Sequence, residues 1–214
     1  MFNYTGREQF EDLWIQASKM KKDPHEAQLF LCGTMGYGKS HLLACLACLL
    51  IKEGETVVYL PDCRAMLWGV VPYVKAAMLL TFGDGGDMQE EVQQLSSMED
   101  IQNFFEKRSP EDIFFIIDQW NALELEKDIS RDNVSNDQKS RAQQFLDMIS
   151  ATHRRIWSAS ANYLTFRYME QKQRNEITIY VQGGLTKVSE GYRASRSDRA
   201  NDRAEGDGGM VEQE

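Results

Sequence analysis

Long apolar runs, a leader-like start, metal-spaced cysteines and a surplus of positive charge are all missing from this chain, and each absence removes a class of function. The longest unbroken apolar run, Leu42 to Ile51, falls well short of the roughly 18 to 20 residues that a membrane-spanning helix needs. The longer stretch from Ala65 to Phe82 is interrupted by Pro72 and Lys75, so no membrane partner is expected. Met1 to Thr5 has neither the basic head nor the apolar body of a secretory signal, which places the expected location inside the cell, in cytoplasm or nucleus. Without a secretory route, the glycosylation-type triplets Asn3-Tyr4-Thr5 and Asn133-Val134-Ser135 carry no information. Cys32, Cys45, Cys48 and Cys63 lie in apolar or strand-like segments with no further ligands at metal-binding spacing, and are expected to be packed thiols. The net charge is −9 and the pI about 5.0. Such a chain repels a polyanion at long range, so nucleic acid is not the expected partner and any phosphate recognition has to be local. The one basic cluster, Lys19, Lys21 and Lys22, reads as a solvated helix end.

What is present is enough apolar material, 42% of 214 residues, for a single core. Phe10, Leu13, Trp14 and Ala17 recur at helical spacing and predict a lead-in helix within residues 1–26, broken by Asp23-Pro24. A main domain is expected over 27–190. Its predicted strands are Gln28 to Cys32, Thr56 to Leu60, Ile113 to Ile117, Arg155 to Ser160 and Ile177 to Val181, each a short apolar or β-branched run. Helices are expected between them: Ser40 to Lys52, covered on both flanks and stopped by Gly54; Arg64 to Phe82, broken at Pro72; one or two over Gln89 to Arg108 with Ser97 as an N-cap; one ending near Ser150; and Tyr163 to Gln173. Strands alternating with helices predict a three-layer α/β/α sandwich around a mostly parallel five-stranded sheet, with ligands at the strands' carboxyl ends. From Gly191 to Glu214 the composition is polar and nearly free of apolar residues, which predicts a disordered tail.

The most specific signal is Gly33-Thr34-Met35-Gly36-Tyr37-Gly38-Lys39-Ser40, which satisfies G-x-x-x-x-G-K-[ST] at every fixed position, between a predicted strand and a predicted helix. This is the P-loop pattern. Its glycines allow successive backbone N–H groups to turn inward around phosphates, and the start of the helix adds unpaired N–H groups and a positive dipole end. The expected phosphate-binding set is Gly33, Thr34, Met35, Gly36, Tyr37, Gly38, Lys39 and Ser40, with His41 on the first helical turn. Lys39 is suited to reach β and γ phosphate oxygens, and the Ser40 hydroxyl to coordinate Mg²⁺. Asp118, at the end of the Ile113 to Ile117 run, suits the second, acidic element of such sites, placing one carboxylate near the metal directly or through water. Many ATPases of this type carry Glu after that Asp, whereas this chain has Gln119. Glutamine orients a water but cannot take its proton, so turnover is expected to be slow, or the base to come from Asp62, Glu124 or Glu126. Ser158, Ser160 and Asn162 are candidates to touch the γ-phosphate or the attacking water, and Arg167 and Arg174 are weaker candidates for charge-stabilising fingers.

Three segments together are similar to the P-loop NTPase module of Crinkler-type effector proteins: Gly33 to Ser40 with Leu42, Leu43 and Ala44; Val57 to Arg64; and Ile116 to Asn121. Tyr4-Thr5-Gly6-Arg7-Glu8 also resembles an opening motif of STAND and AAA-like ATPases. The resemblance covers roughly Leu29 to Thr186 and implies a strand order 5-1-4-3-2, an ATP·Mg²⁺ ligand, and roles for Lys39, Ser40 and Asp118. Host-cell delivery would follow from the family resemblance only; neither the targeting segment nor the downstream nuclease-like or kinase-like domain of that group is recognisable, as in a truncated or degenerate copy, so delivery, cell killing and DNA cleavage are not carried over. No Asn-Lys-x-Asp guanine-reading segment occurs, which favours ATP over GTP. The competing readings are a non-hydrolysing nucleotide switch, scaffolding a protein partner or a second copy of itself, and a small-molecule kinase, for which no acceptor pocket or arginine-bearing lid is identifiable.

Overall fold

A computed structural model describes residues 8–21, 28–83, 86–108, 113–120, 134–160 and 177–182. The elements, in chain order, are α1 (Glu8–Met20), β1 (Gln28–Gly33), α2 (Lys39–Lys52), β2 (Thr56–Leu60), α3 (Cys63–Met66), α4 (Val70–Thr81), α5 (Gly86–Gln94), α6 (Met98–Glu106), β3 (Ile113–Ile117), α7 (Asn136–Thr152), β4 (Arg154–Ser160) and β5 (Ile177–Tyr180). The five strands form one sheet of order β2-β3-β4-β1-β5. Every pairing is parallel. The sheet is therefore all-parallel, and its order read from the other edge is the expected 5-1-4-3-2.

Side chains alternate across this sheet with a period of two, so each face builds its own core. Leu29 and Leu31 of β1, Val57 of β2, Phe114 and Ile116 of β3 and Ile156 of β4 pack with α1 and α2. Phe30, Cys32, Val58, Leu60, Phe115, Ile117, Trp157 and Ala159 pack on the opposite face with α3, α4, α6 and α7. All five residues of β3 are buried, the signature of a strand covered on both faces. Complete burial of one such Phe or Ile stabilises the fold by about 1.5–3 kcal/mol. α1 is part of this assembly: Leu13, Ala17 and Met20 are fully buried beside β1 and α2.

Three sequence expectations are corrected in detail. The break in the 64–82 region falls at Leu67–Gly69, between α3 and α4, and Pro72 sits in the first turn of α4, where its missing N–H costs nothing. α2 buries Lys39, Leu42, Leu43, Leu46, Ala47 and Leu50 but leaves Cys48 and Ile51 exposed, so it is covered on one side among the described residues. Cys48 is accordingly a solvent-facing thiol, while Cys32 and Cys63 are buried as expected. The helix termini follow local chemistry. Ser97 caps α6 and Ser135 caps α7, in both cases through a reciprocal box completed by Asp100 or Gln138. The expected Tyr163–Gln173 helix and the 191–214 tail lie outside the described residues.

His153 ends α7 buried between the ring edges of Phe105 and Phe115. Burial lowers its pKa from the ordinary histidine value. Below the unfolded value of about 6.5 the unfolded chain takes up a proton that the folded chain resists, so folding is weakened as pH falls through that range. The unfolding midpoint is expected to drop between about pH 7 and about pH 5.5, and to drop less in His153→Leu, as measured by thermal melts at matched ionic strength.

Candidate functional site at the carboxyl edge of the sheet

The register of the three central strands sets the site. β3 pairs with β4 through Ile117↔Trp157, and β4 pairs with β1 through Leu31↔Ser158 and Gly33↔Ser160. In a parallel sheet all three strands then finish on the same edge, where the turn after β1 meets the residues that follow β3.

That turn is held by its own backbone. The Tyr37 N–H donates to the Thr34 carbonyl at 3.3 Å, and the Leu42 N–H to the Gly38 carbonyl at 3.1 Å. Gly36 and Gly38 adopt φ values of 84° and 81°, in the left-handed region that glycine reaches without strain. Gly33 is required for a different reason: a Cβ there would stand 2.5 Å from the carbonyl oxygen of Val181. Val181 in turn donates its N–H to the Cys32 carbonyl at 2.7 Å, so the segment after β5 is clasped to the base of the turn. Gly38 caps α2 with no side-chain hydrogen bond, and the first turn of α2 contains no acidic residue. The positive end of the helix is therefore not offset by a capping side chain or by an acidic residue of its first turn.

Lys39 is buried at the start of α2, and its ammonium donates to the carbonyls of Gly33 at 2.7 Å and Thr34 at 3.0 Å. Burial lowers its pKa from the ordinary lysine value, opposed by the nearby charges of Asp118 and Cys32. Ser40 and His41 are exposed at the helix start, Thr34, Met35 and Gly36 are exposed on the turn, and Tyr37 is half-buried against the α1–α2 core.

Asp118 continues β3 and is almost fully buried. Its backbone is tied to the end of β2, with its N–H donating to the Leu60 carbonyl at 2.9 Å and its carbonyl accepting from the Cys63 N–H at 3.2 Å. Carboxylate Oδ1 accepts from the Ser158 hydroxyl and from the Gln119 N–H at 2.9 Å. Oδ2 is buried and has no hydrogen-bond partner among the described residues. Gln119 is the one non-glycine described residue with positive φ, 61°, and its side chain is exposed. Trp120 then anchors the chain against Trp157, centroids 4.9 Å apart.

Sequence reasoning brought Gly33 to His41, Asp118 and Gln119 to one edge, as the structure does. It missed the contact of Ser158 with Asp118, having grouped Ser158 with residues facing the ligand, and it placed Val181 only as a strand end, without its close approach to Gly33. Asp62 is occupied as the cap of α3, accepting from the Arg64 N–H at 2.9 Å. Glu124, Glu126, Asn162, Arg167 and Arg174 lie outside the described residues, as does the side chain of Ser160.

No protein-family model matches the chain, and no curated protein matches it. Among solved structures, it is similar to AMPPCP-bound DnaA from Aquifex aeolicus, with a TM-score of 0.44 and 12% identity over 84% of this chain and 48% of that one. It is also similar to the ORC2 protein of Aeropyrum pernix, solved as ADPNP and ADP complexes, with a TM-score of 0.44 and 13% identity over 85% of this chain and 50% of that one. A third likeness is to PCH-2 of C. elegans, with a TM-score of 0.42 and 12% identity over 83% of this chain and 43% of that one. The chain thus spans half or less of the length of these proteins. Its own strand order, parallel pairing and flanking helices are those of a P-loop NTPase fold.

The two glycine constraints predict different costs. Gly33→Ala drives a Cβ into backbone and is expected to lose about 2 kcal/mol or more, whereas Gly36→Ala, with open space around it, is expected to lose about 1 kcal/mol from its φ alone. Urea unfolding of the two variants measures both.

Proposed function

We propose that the chain is a nucleoside-triphosphate-binding domain whose ligand is ATP with Mg²⁺, and that it hydrolyses the nucleotide slowly. The reading is carried by one juxtaposition: a glycine-shaped turn and an uncapped helix start beside a buried carboxylate with an unengaged oxygen. Backbone N–H groups from Gly33 to Ser40 would surround the phosphates, with His41 on the same first turn. Lys39 would exchange the carbonyls of Gly33 and Thr34 for β and γ phosphate oxygens, which compensate its buried charge better than neutral carbonyls do.

The residues present fit a magnesium ion of the phosphate-dependent kind. Among the described residues no group of three or more His, Cys, Asp or Glu is arranged to hold a metal, so the ion would rely on phosphate oxygens and water, with Ser40 and Asp118 as its protein contacts. When bound, the ion offsets phosphate charge. Hydrolysis joins water oxygen to the γ phosphorus and breaks the bond to the bridging oxygen, and the proton of the water has to go to a base. The Gln119 amide orients water without accepting that proton, which is why turnover is proposed as slow. The same amide favours a second reading, a nucleotide-bound switch that releases no phosphate and acts through a protein partner or a second copy of the chain. The preference for ATP rests on the lack of a guanine-reading segment together with the family likeness. Kinship with Crinkler-type modules rests on the three segments quoted above.

Titration calorimetry and phosphate release with ATP and GTP, with and without Mg²⁺, test the proposal. Lys39→Ala is expected to weaken triphosphate binding about 10- to 100-fold, the worth of one or two charge-assisted contacts. Gln119→Glu is expected to raise phosphate release about tenfold or more by restoring a proton acceptor. Tight binding with no release above the Lys39→Ala background selects the switch, and no binding at millimolar nucleotide overturns the proposal.

A further inference from the structure

We infer that Ser158 is a positioning residue for Asp118: its hydroxyl fixes the carboxylate through Oδ1 so that Oδ2 alone is presented to the nucleotide's cation or to a water bound to it. The inference rests on the nucleotide-binding reading and adds to it a residue, Ser158, that this reading does not use.

Ser158 breaks a pattern. On the α2 side of the sheet, Leu29, Leu31, Phe114, Ile116 and Ile156 supply an apolar surface, and period-two alternation from Ile156 puts Ser158 on that same side. It is also fully buried. A polar side chain at an apolar, buried position requires a partner, and its partner is Asp118, which the same alternation from Ile116 places on the same side. The Ile117↔Trp157 register sets the two next to each other on neighbouring strands.

The geometry is a closed triangle. Ser158 donates to Asp118 Oδ1, the Gln119 N–H donates to the same oxygen at 2.9 Å, and that N–H also lies 3.4 Å from the Ser158 oxygen. Two donors on one oxygen stop the carboxylate from rotating unless both bonds break, so the direction of Oδ2 is set before any ligand arrives. The left-handed backbone of Gln119 belongs to the same device, because it turns the N–H back onto the preceding carboxylate. A serine that touched the phosphates directly would need an outward hydroxyl. Here the hydroxyl is buried and committed to Asp118, so its effect passes through that residue.

The test separates Mg²⁺-dependent from Mg²⁺-independent binding of ATP to the full chain, by calorimetry or a fluorescent ATP analogue, with circular dichroism as the control of fold. Ser158→Ala is expected to keep affinity in EDTA within about twofold of the parent, and to raise the Mg²⁺ concentration at half-effect about tenfold, the usual size of losing a group that orients a metal-facing ligand. Ser158→Thr, which retains the hydroxyl, is expected to return that midpoint to within about threefold. In an Asp118→Ala background, Ser158→Ala is expected to add nothing. If Ser158→Ala fails to fold, Ser158→Cys, close in shape with a weaker donor, is expected to shift the midpoint in the same direction. An unshifted midpoint in a folded variant overturns the inference, as does an equal loss with and without Mg²⁺. A parent that binds no ATP under either condition overturns the nucleotide reading and this inference with it, whereas a parent that binds MgATP beside an unshifted Ser158→Ala overturns this inference alone.

Discussion

The parallel register of β1, β3 and β4 is the constraint on which the site depends. Side-chain period and pairing are both fixed along a strand, so a shift of β4 by one residue would turn Ser158 away from Asp118 and move Ile156 to the opposite face. Apolar burial on both faces forbids that shift. Trp157 is stacked on Phe30 across β1, at 4.0 Å between centroids, on one face, while Ile156 packs with Leu29, Leu31 and Ile116 on the other. The hydrophobic cores thus hold the register, and the register holds two polar groups together at the edge. The far edge of the sheet is tied differently. There Glu55 meets Lys21 at 2.8 Å and Arg154 at 3.6 Å, and the Arg154 guanidinium lies over the Phe114 ring. These contacts bind the end of α1 to the start of β4 without touching the site.

Most of the architecture was legible in the sequence because its signals are local. Ile113 to Ile117 is a short apolar run of the kind a strand covered on both faces carries, and the P-loop pattern calls for particular backbone angles within eight consecutive residues. Ser97 and Ser135 cap their helices through residues three positions on, which is also local. The break near Pro72 was misplaced because proline is a helix breaker only beyond the first turn. The helix start was set instead at Gly69, where a Cβ would come within 2.9 Å of the Pro72 ring. The two-sided covering expected of α2 failed for a related reason. A short apolar helix reads the same whether one flank or both are covered, and only the packing of α1 and the sheet decides which positions face inward.

The parts of the site that escaped the sequence are non-local. Ser158 and Asp118 are 40 positions apart, and nothing in either segment announces the pair; a serine near a strand end reads equally well as turn chemistry. One clue was available, since Ser158 interrupts the apolar alternation of its strand. Val181 had no clue at all. Its importance is that its backbone occupies the space a side chain at residue 33 would need, a relation that appears only once β5 is laid beside β1.

On the proposed reading, the site combines one group that has to move with one that does not. Lys39 in this structure satisfies its ammonium with two backbone carbonyls of the turn it belongs to, so triphosphate binding would include breaking those bonds, and only the surplus of phosphate over carbonyl contacts would contribute to affinity. Asp118 needs no such exchange, because its two donors occupy Oδ1 and leave Oδ2 as it is. A carboxylate set in advance favours binding of a cation, whereas Gln119 beside it supplies no proton acceptor. On that reading these two features pull in one direction: a pre-set carboxylate and an amide in place of a base would favour holding a metal–nucleotide complex over consuming it.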